Sequence, residues 1–200
     1  MAKGIHNSTI RAQSRIVTTL QTWLGAEIAA AIAELDTLGI TVGAADALDI
    51  KTPAAAAYYT VYSDEQIDEY VRNYDPVVLV WLNSDEELGD LRSGSPSLVS
   101  ATQEFEIVVM IAFGLVAFQP FTYNAKPMTF EESMVLTADV YNAAVMNAIL
   151  KKACGSDDVL SIATAGRTRD YLAPEDDRPL VVTAATKWTI KQDVTVPQPQ

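Results

Sequence analysis

The sequence contains very few of the residues on which most catalytic and metal sites depend. It has one cysteine, Cys154, and one histidine, His6, among 200 residues. A single cysteine allows no disulfide within the chain and excludes a cysteine-rich zinc site. His6 lies close to the N-terminus, where chains are usually poorly ordered, which disfavours a Ser-His-Asp or Cys-His site. We therefore predict that the protein is not an enzyme, with no catalytic, cofactor-binding or metal-binding residues and no cofactor.

Positive charge and long apolar runs are also scarce. Lys and Arg number 14 against 26 Asp and Glu, which gives a net charge of -12. An acidic surface repels nucleic-acid phosphate, which disfavours a protein that binds DNA. It does not disfavour a protein that DNA passes without being bound. The longest apolar run, residues 107–118, is too short for a membrane helix of about 20 residues. No apolar segment follows the early basic residues as in a secretory signal, so we expect a cytoplasmic protein without membrane contact.

Familiar site motifs are missing as well. There is no glycine-rich phosphate loop, no G-x-S-x-G and no CxxC. The stretch 83–87 alternates oxygen-bearing residues as a calcium loop does, but Leu88 occupies the sixth position, where an EF-hand requires glycine. The carboxylates of residues 157–158 and 175–177 lie in predicted turns, and we interpret them as solvated rather than catalytic.

Two basic residues near the end of a predicted strand could bind an anion. Arg167 and Arg169 alternate and therefore share one face of that strand. They suit a phosphate, but the acids at 175–177 could pair with them across the same hairpin. We favour internal pairing or a subunit contact.

Helical periodicity is clear in two segments. Residues 14–38 have apolar residues at helical spacing, with Ser14 as a candidate N-cap, Gly39 at the stop and Gly25 as a candidate break. Thr129 and Glu132 form a capping box before a second helix, for which Gly155 is a natural end. Its predicted apolar stripe is Met134, Ala138, Tyr141, Val145, Ala148 and Ile149.

The segment between these helices contains strands and one short helix. We predict a strand at 58–62, a helix at 64–73 capped by Ser63 and Gln66, and a central strand at 77–82 that is apolar on both faces. A long polar loop follows at 83–97, and a second long strand then runs through 105–113, is bent by Gly114 and ends by Pro120.

The last part of the chain is predicted to form two strands. The first covers 159–165, and residues 166–179 turn the chain. The closing strand has Leu180, Val182, Ala184, Trp188 and Ile190 on one parity, interrupted by Thr186, and polar residues on the other. Because strands usually have five or six residues, about eleven is long, and such a strand needs something beyond its own sheet to lie against. We predict that it ends at about Asp193, with a polar tail after it.

These elements predict one α+β domain over residues 1–195. We expect an antiparallel or mixed sheet of about four to five strands packed against two main helices, with 40–74 as a candidate insertion and 196–200 as a flexible tail. The three tryptophans, Trp23, Trp81 and Trp188, lie in periodic apolar patterns and are predicted to be core residues.

Negative charge is concentrated in one part of the chain. Residues 64–90 contain nine acids and one base, Arg72, which accounts for most of the net charge. A solubilising face is one interpretation, and a surface that repels something is the other.

The element order resembles that of the tail terminator and tail-completion proteins of tailed bacteriophages. The resemblance lies in the N-terminal helix, the strand DPVVLVWL, the strand SATQEFEIVVMIAF, the capped helix and the closing TAATKWTIKQDV. It covers roughly residues 14–38 and 75–195 and includes no diagnostic motif, while 40–74 depart from it. It implies a small α+β subunit that forms a hexameric ring where the tail tube meets the neck.

The resemblance also implies the partners. They would be other copies of the chain, the tail tube protein, a neck, stopper or connector protein, and in contractile tails the sheath, with DNA passing without specific binding. The protein would be assembled in the host cytoplasm and located in the virion. The alternatives are another head-tail connector or stopper, and an acidic bacterial binding module that mimics nucleic acid.

Overall fold

The computed structural model describes residues 8–41, 50–60, 67–83, 87–88, 92–95, 98–115, 121–153, 161–172 and 180–197. These residues form an α+β fold, as predicted. The helices are α1 (Ser8–Thr37), α2 (Ile67–Asn73) and α3 (Phe130–Ala148), which continues as a π-helical turn at Ile149–Ala153. The strands are β1 (Ile40–Thr41), β2 (Tyr58–Tyr59), β3 (Val77–Leu82), β4 (Glu87–Leu88), β5 (Arg92–Ser95), β6 (Leu98–Leu115), β7 (Thr122–Tyr123), β8 (Lys126–Pro127), β9 (Ser161–Leu172) and β10 (Leu180–Pro197).

The main sheet is mixed, with strand order β2-β3-β6-β10-β9. β2 and β3 are parallel, and every other neighbouring pair is antiparallel. β4 and β5 pair with β6 beyond the end of β3. A separate small sheet has the order β1-β7-β8.

The helix α1 is longer than predicted. It begins at Ser8 rather than after Ser14, so Ser14 is an interior residue and not its N-cap. It ends where predicted, because Gly39 has a φ of 76°, the left-handed conformation that terminates helices. Gly25 does not break it: a Cβ atom there would lie 2.9 Å from Thr52 Cγ2, so the glycine allows close contact between α1 and the chain around Thr52.

The helix α3 follows its sequence signals closely. The Thr129 hydroxyl accepts the Glu132 backbone N–H at 3.2 Å, and the Glu132 carboxylate accepts the Thr129 N–H at 2.7 Å, so the predicted capping box is present. All six residues of the predicted stripe are buried. Gly155, the predicted end of this helix, lies outside the described residues.

Loss of the α3 cap should have a measurable effect. Replacing Thr129 with alanine should lower the free energy of unfolding by about 1 kcal/mol, whereas serine should retain most of the cap. Hydrogen bonds from Thr129 lower the pKa of Glu132. The part of the cap's stabilisation that comes from the ionised Glu132 carboxylate is therefore present above the ordinary glutamate pKa. It is lost as the pH falls through the lowered pKa. Urea unfolding at pH 7 and pH 3 checks this, and an equal alanine effect at both pH values would contradict it.

The two faces of the main sheet are both largely buried. On the first face, α1 and α3 pack against side chains of β3, β6 and β10 in one continuous core. On the second face, α2 covers a smaller cluster that includes Ile67, Val71, Leu79 and Val181. The closing strand was predicted to have one wet face, and this is right for only part of it: on that parity Lys187 and Lys191 are exposed, whereas Val181, Thr183 and Ala185 are buried.

The described part of residues 40–74 belongs to this core. Ile50 and Ala57 are buried, and the Tyr141 hydroxyl donates to the Lys51 carbonyl at 3.1 Å. The Tyr58 hydroxyl donates to the Leu20 carbonyl at 3.4 Å. Burial raises the pKa of Tyr58 to about 12. The segment therefore connects α1 with α3. The predicted strand 58–62 is described only as Tyr58–Tyr59, and Ser63 and Gln66 lie outside the described residues.

The tryptophan prediction is right for one residue and wrong for another. Trp188 is fully buried, and Trp81 is half-buried on the α2 face. Trp23 is 40% exposed, and the Lys152 ammonium group lies 4.1 Å from its ring centroid. Trp23 is thus a surface residue in a cation–π contact between α1 and the π-helical turn.

Several strands are longer than the sequence predicted. The interval 83–97 is not wholly a loop, because β4 and β5 form within it and pair with β6. β9 continues to Leu172, so residues 166–172 are strand rather than turn. β10 extends to Pro197, opposite Leu98, and not to about Asp193, so residues 196–197 do not belong to a flexible tail. Proline has no backbone N–H to donate. It is tolerated there because the last residue of an edge strand does not have to donate a hydrogen bond to a neighbouring strand.

Candidate interaction surface

The described residues contain no cluster suited to a metal ion. No three His, Cys, Asp or Glu side chains among them lie close enough to hold one. Cys154, His6 and the acids at 157–158 and 175–177 lie outside the described residues. The stretch 83–87 is described only at its ends: Asn83 donates to the Glu106 carboxylate, and Glu87 lies in β4.

By length and hydropathy alone, α1 and α3 could each cross a membrane. Core helices of soluble proteins meet the same criterion. Ile16, Leu20, Leu24 and Ile28 of α1 are buried in the main core together with the apolar stripe of α3. These apolar residues of the two helices are thus packed in the core, whereas Ile10 and Trp23 of α1 and Phe130 and Val135 of α3 are exposed.

The most distinctive feature is a three-stranded ribbon that continues beyond the rest of the main sheet. It consists of Arg92–Ser95 of β5, residues 98–103 of β6 and residues 192–197 of β10. The last β3 pair joins Leu82 to Ile107, which lies nine residues after the start of β6 at Leu98. At about 3.4 Å per residue, β6 extends about 30 Å past that pair. We call this part of the sheet the ribbon.

The base of the ribbon is fixed to the core. Phe105 and Ile190, a cross-strand pair, are both buried in the main core. Next to them, Lys191 Nζ lies 2.8 Å from Glu104 Oε2, with both side chains more than 40% exposed. An exposed pair of this kind contributes at most about 1 kcal/mol, so it fixes register more than stability. The ribbon is a continuation of the core sheet and not an independent hairpin.

Both edges of the ribbon are open among the described strands. The described part of β9 ends its pairing with β10 at Ser161 opposite Lys191, so among the described strands residues 192–197 have a neighbour, β6, on one side only. β5 likewise pairs with β6 and with no other described strand, and its register with β6 shifts between Ser93 and Ser95. Unpaired backbone N–H and C=O groups along an edge are a template for pairing with another chain.

β9, the other long edge of the main sheet, is better protected. It includes Arg167, Arg169 and Asp170, and a register shift marks a bulge opposite Thr189 and Ile190. From the first face, the Asn142 amide donates to the Thr168 carbonyl at 3.3 Å. Charges, bulges and covering side chains all hinder strand addition. Residues 192–197 include a single charge, Asp193, and the structure shows no register shift in their pairing with β6.

Arg167 and Arg169 belong to the middle of β9 rather than to a strand end. They are in register with Thr186 and Ala184 of β10. The predicted acidic partners at 175–177 lie outside the described residues, so the pairing remains a prediction.

The acidic segment 64–90 is described in part. Glu69 of α2 is exposed. Asp75 has a structural role, because its Oδ1 accepts the Gly114 N–H at 3.1 Å and its Oδ2 lies 3.7 Å from Lys51 Nζ. Asp64, Glu65, Asp85, Glu86 and Asp90 lie outside the described residues. Of these nine acids, Asp75 is thus the one for which the described residues show a structural role.

Comparison with known proteins adds no family. A scan against protein-family models gives no match, and a search of curated proteins finds none with significant similarity. The open-edged ribbon is therefore the candidate functional feature, and the sequence indicates it only in part. The length of β10 indicated the ribbon. The short sequences of β4 and β5 contain no pattern that predicts their pairing with β6.

Proposed function

We propose that the protein is a structural subunit of a ring at the head-proximal end of a phage tail. In this role, that of a tail terminator, it caps the tail tube and joins it to the neck while DNA passes through. The ribbon is the observation that carries the proposal, because symmetric closure is a common way to satisfy open strand edges. The element order, with α1 before the strands and α3 between β6 and β9, supports the resemblance to phage tail terminators.

A head-tail stopper or connector would share the same physical features. The two roles differ in what the subunit contacts, since a terminator binds the tail tube and a stopper does not. Nothing in the ribbon favours the stopper, so the terminator is the proposal. A nucleic-acid mimic in a bacterial binding module would use the acids at 64–90 and would need no ring.

Localisation in assembled particles tests the proposal. Antibody-labelled electron microscopy should place the protein at the junction of head and tail, and particles made without it should contain separate heads and tails. Free tails that retain the label would identify a terminator. Label found only on heads would identify a stopper, and label on neither would overturn a role in the neck.

The concentrated acids have a proposed task in the same ring. Part of the segment 64–90 would face the channel and keep DNA from adhering, because carboxylates repel phosphate over about 10 Å at 0.1 M salt. Replacing Asp85, Glu86 and Glu87 together with lysine should leave assembly intact and slow DNA ejection. The triple amide variant, which removes charge without reversing it, should have an intermediate effect.

Single-particle ejection measurements at two salt concentrations check this prediction. The slowing should weaken as salt rises, since screening reduces attraction between lysine and phosphate. Unchanged ejection in the lysine variant would show that these acids face outside solvent.

A further inference from the structure

The two edges of the ribbon that are open among the described strands run in the same direction. β5 and β10 lie on opposite sides of β6, and both are antiparallel to it. They are therefore parallel to each other, with β6 between them. A ring axis rotates each copy without reversing it, so the β10 edge of one copy would meet the β5 edge of the next copy in parallel orientation.

We propose that residues 192–197 of one copy add to Arg92–Ser95 of the neighbouring copy as parallel strands. The inference depends on the proposed ring and names the surface that closes it. Head-to-tail pairing of this kind uses both edges of every ribbon, so a closed ring leaves no ribbon edge unpaired. A two-fold dimer through β10 alone would leave both β5 edges open.

The charges of the two edges favour this pairing over self-pairing. β5 contains Arg92 and no acid, and residues 192–197 contain Asp193 and no base. Opposite charges across neighbouring strands are favourable, and like charges are unfavourable. In a chain with a net charge of -12, copies repel in general. Two copies therefore repel each other least when the β5 edge of one copy faces the β10 edge of the other.

Ring closure through the ribbons would also create a channel. Three strands from each of six copies give a barrel of about 18 strands, and natural barrels of about 16–18 strands enclose an aqueous channel. The same contact would therefore both hold the ring together and surround the passage for DNA.

Paired cysteines test the contact directly. In a Cys154→Ala background, Ser93→Cys is combined in turn with Val194→Cys, Thr195→Cys or Val196→Cys, so that adjacent registers are sampled. Within one copy, Ser93 is opposite Val99, which is opposite Val196, so β5 and β10 are two strand spacings apart. That separation is about 10 Å, beyond the roughly 7 Å that a disulfide can bridge. Any disulfide must therefore join two copies.

After mild oxidation, at least one double variant should give a ladder of linked chains up to six on a non-reducing gel. The four single-cysteine variants should remain unlinked. Dimers from Thr195→Cys alone would indicate two-fold pairing of β10 and would overturn the proposal. Native mass spectrometry of the reduced proteins separates the two claims. A ring with no cross-link in any double variant would overturn the edge contact and leave the ring standing, whereas monomers in solution together with single copies in assembled particles would remove the basis for both.

Discussion

Replacement of Trp188 by alanine is expected to lower the free energy of unfolding by about 3–5 kcal/mol. The indole is fully buried, between Ile107 of β6 and Ala165 of β9 in the strand register. Its Nε1 donates to Thr186 Oγ1 at 2.8 Å, so truncation creates a cavity and also removes a hydrogen-bond donor in the core. A loss of this size is a large fraction of the total stability of about 5–15 kcal/mol.

Thermal unfolding checks the prediction, with a decrease in melting temperature of about 10 °C at this chain length. Trp23→Ala is the matched control, since the same side chain is removed where it is 40% exposed. The control should change the free energy of unfolding by about 1 kcal/mol or less, mostly from the lost contact with Lys152. Equal effects of the two variants would show that Trp188 is not in the core.

Deletion of residues 194–200 is expected to abolish ring assembly and to have little effect on folding. Residues 194–197 pair with β6 at the far end of the ribbon, away from the buried pair Phe105 and Ile190. The loss of four cross-strand pairs should cost about 1–2 kcal/mol. The same deletion removes most of the open edge proposed to bind the next copy.

Deletion of 198–200 alone is the control, because the paired residues through Pro197 remain. Native mass spectrometry at micromolar concentration should show rings for the full chain and the short deletion, and subunits for the long deletion. A long deletion that still forms rings would show that other contacts close them. Unfolding of the long deletion would show that the core extends to the end of β10.

The sequence predicted the elements that have a strong periodic pattern. The capping box at Thr129 and Glu132, the stop at Gly39 and the core strand β3 follow from local chemistry, and all three are present. Thr186, which interrupts the apolar parity of β10, has its explanation in the structure: its hydroxyl accepts the Trp188 N–H and lies 3.4 Å from the Val109 carbonyl.

The elements that the sequence did not predict depend on tertiary pairing. β4 and β5 are short and polar, and β6 rather than their own pattern defines them. The continuation of β9 through Gly166 and Arg167 likewise comes from its pairing with β10. The open edges of the ribbon are properties of strand order, which a single-sequence pattern does not contain. The candidate surface could therefore be anticipated from the length of β10 but not located.

The mass of the purified protein in native solution tests the central claim most directly. A closed ring of six copies of the 21.7 kDa chain would have a mass of roughly 130 kDa. Native mass spectrometry at micromolar concentration should show this species, and electron microscopy of the same sample should show a central channel. A strict monomer in the purified protein, together with single copies in assembled particles, would contradict the account.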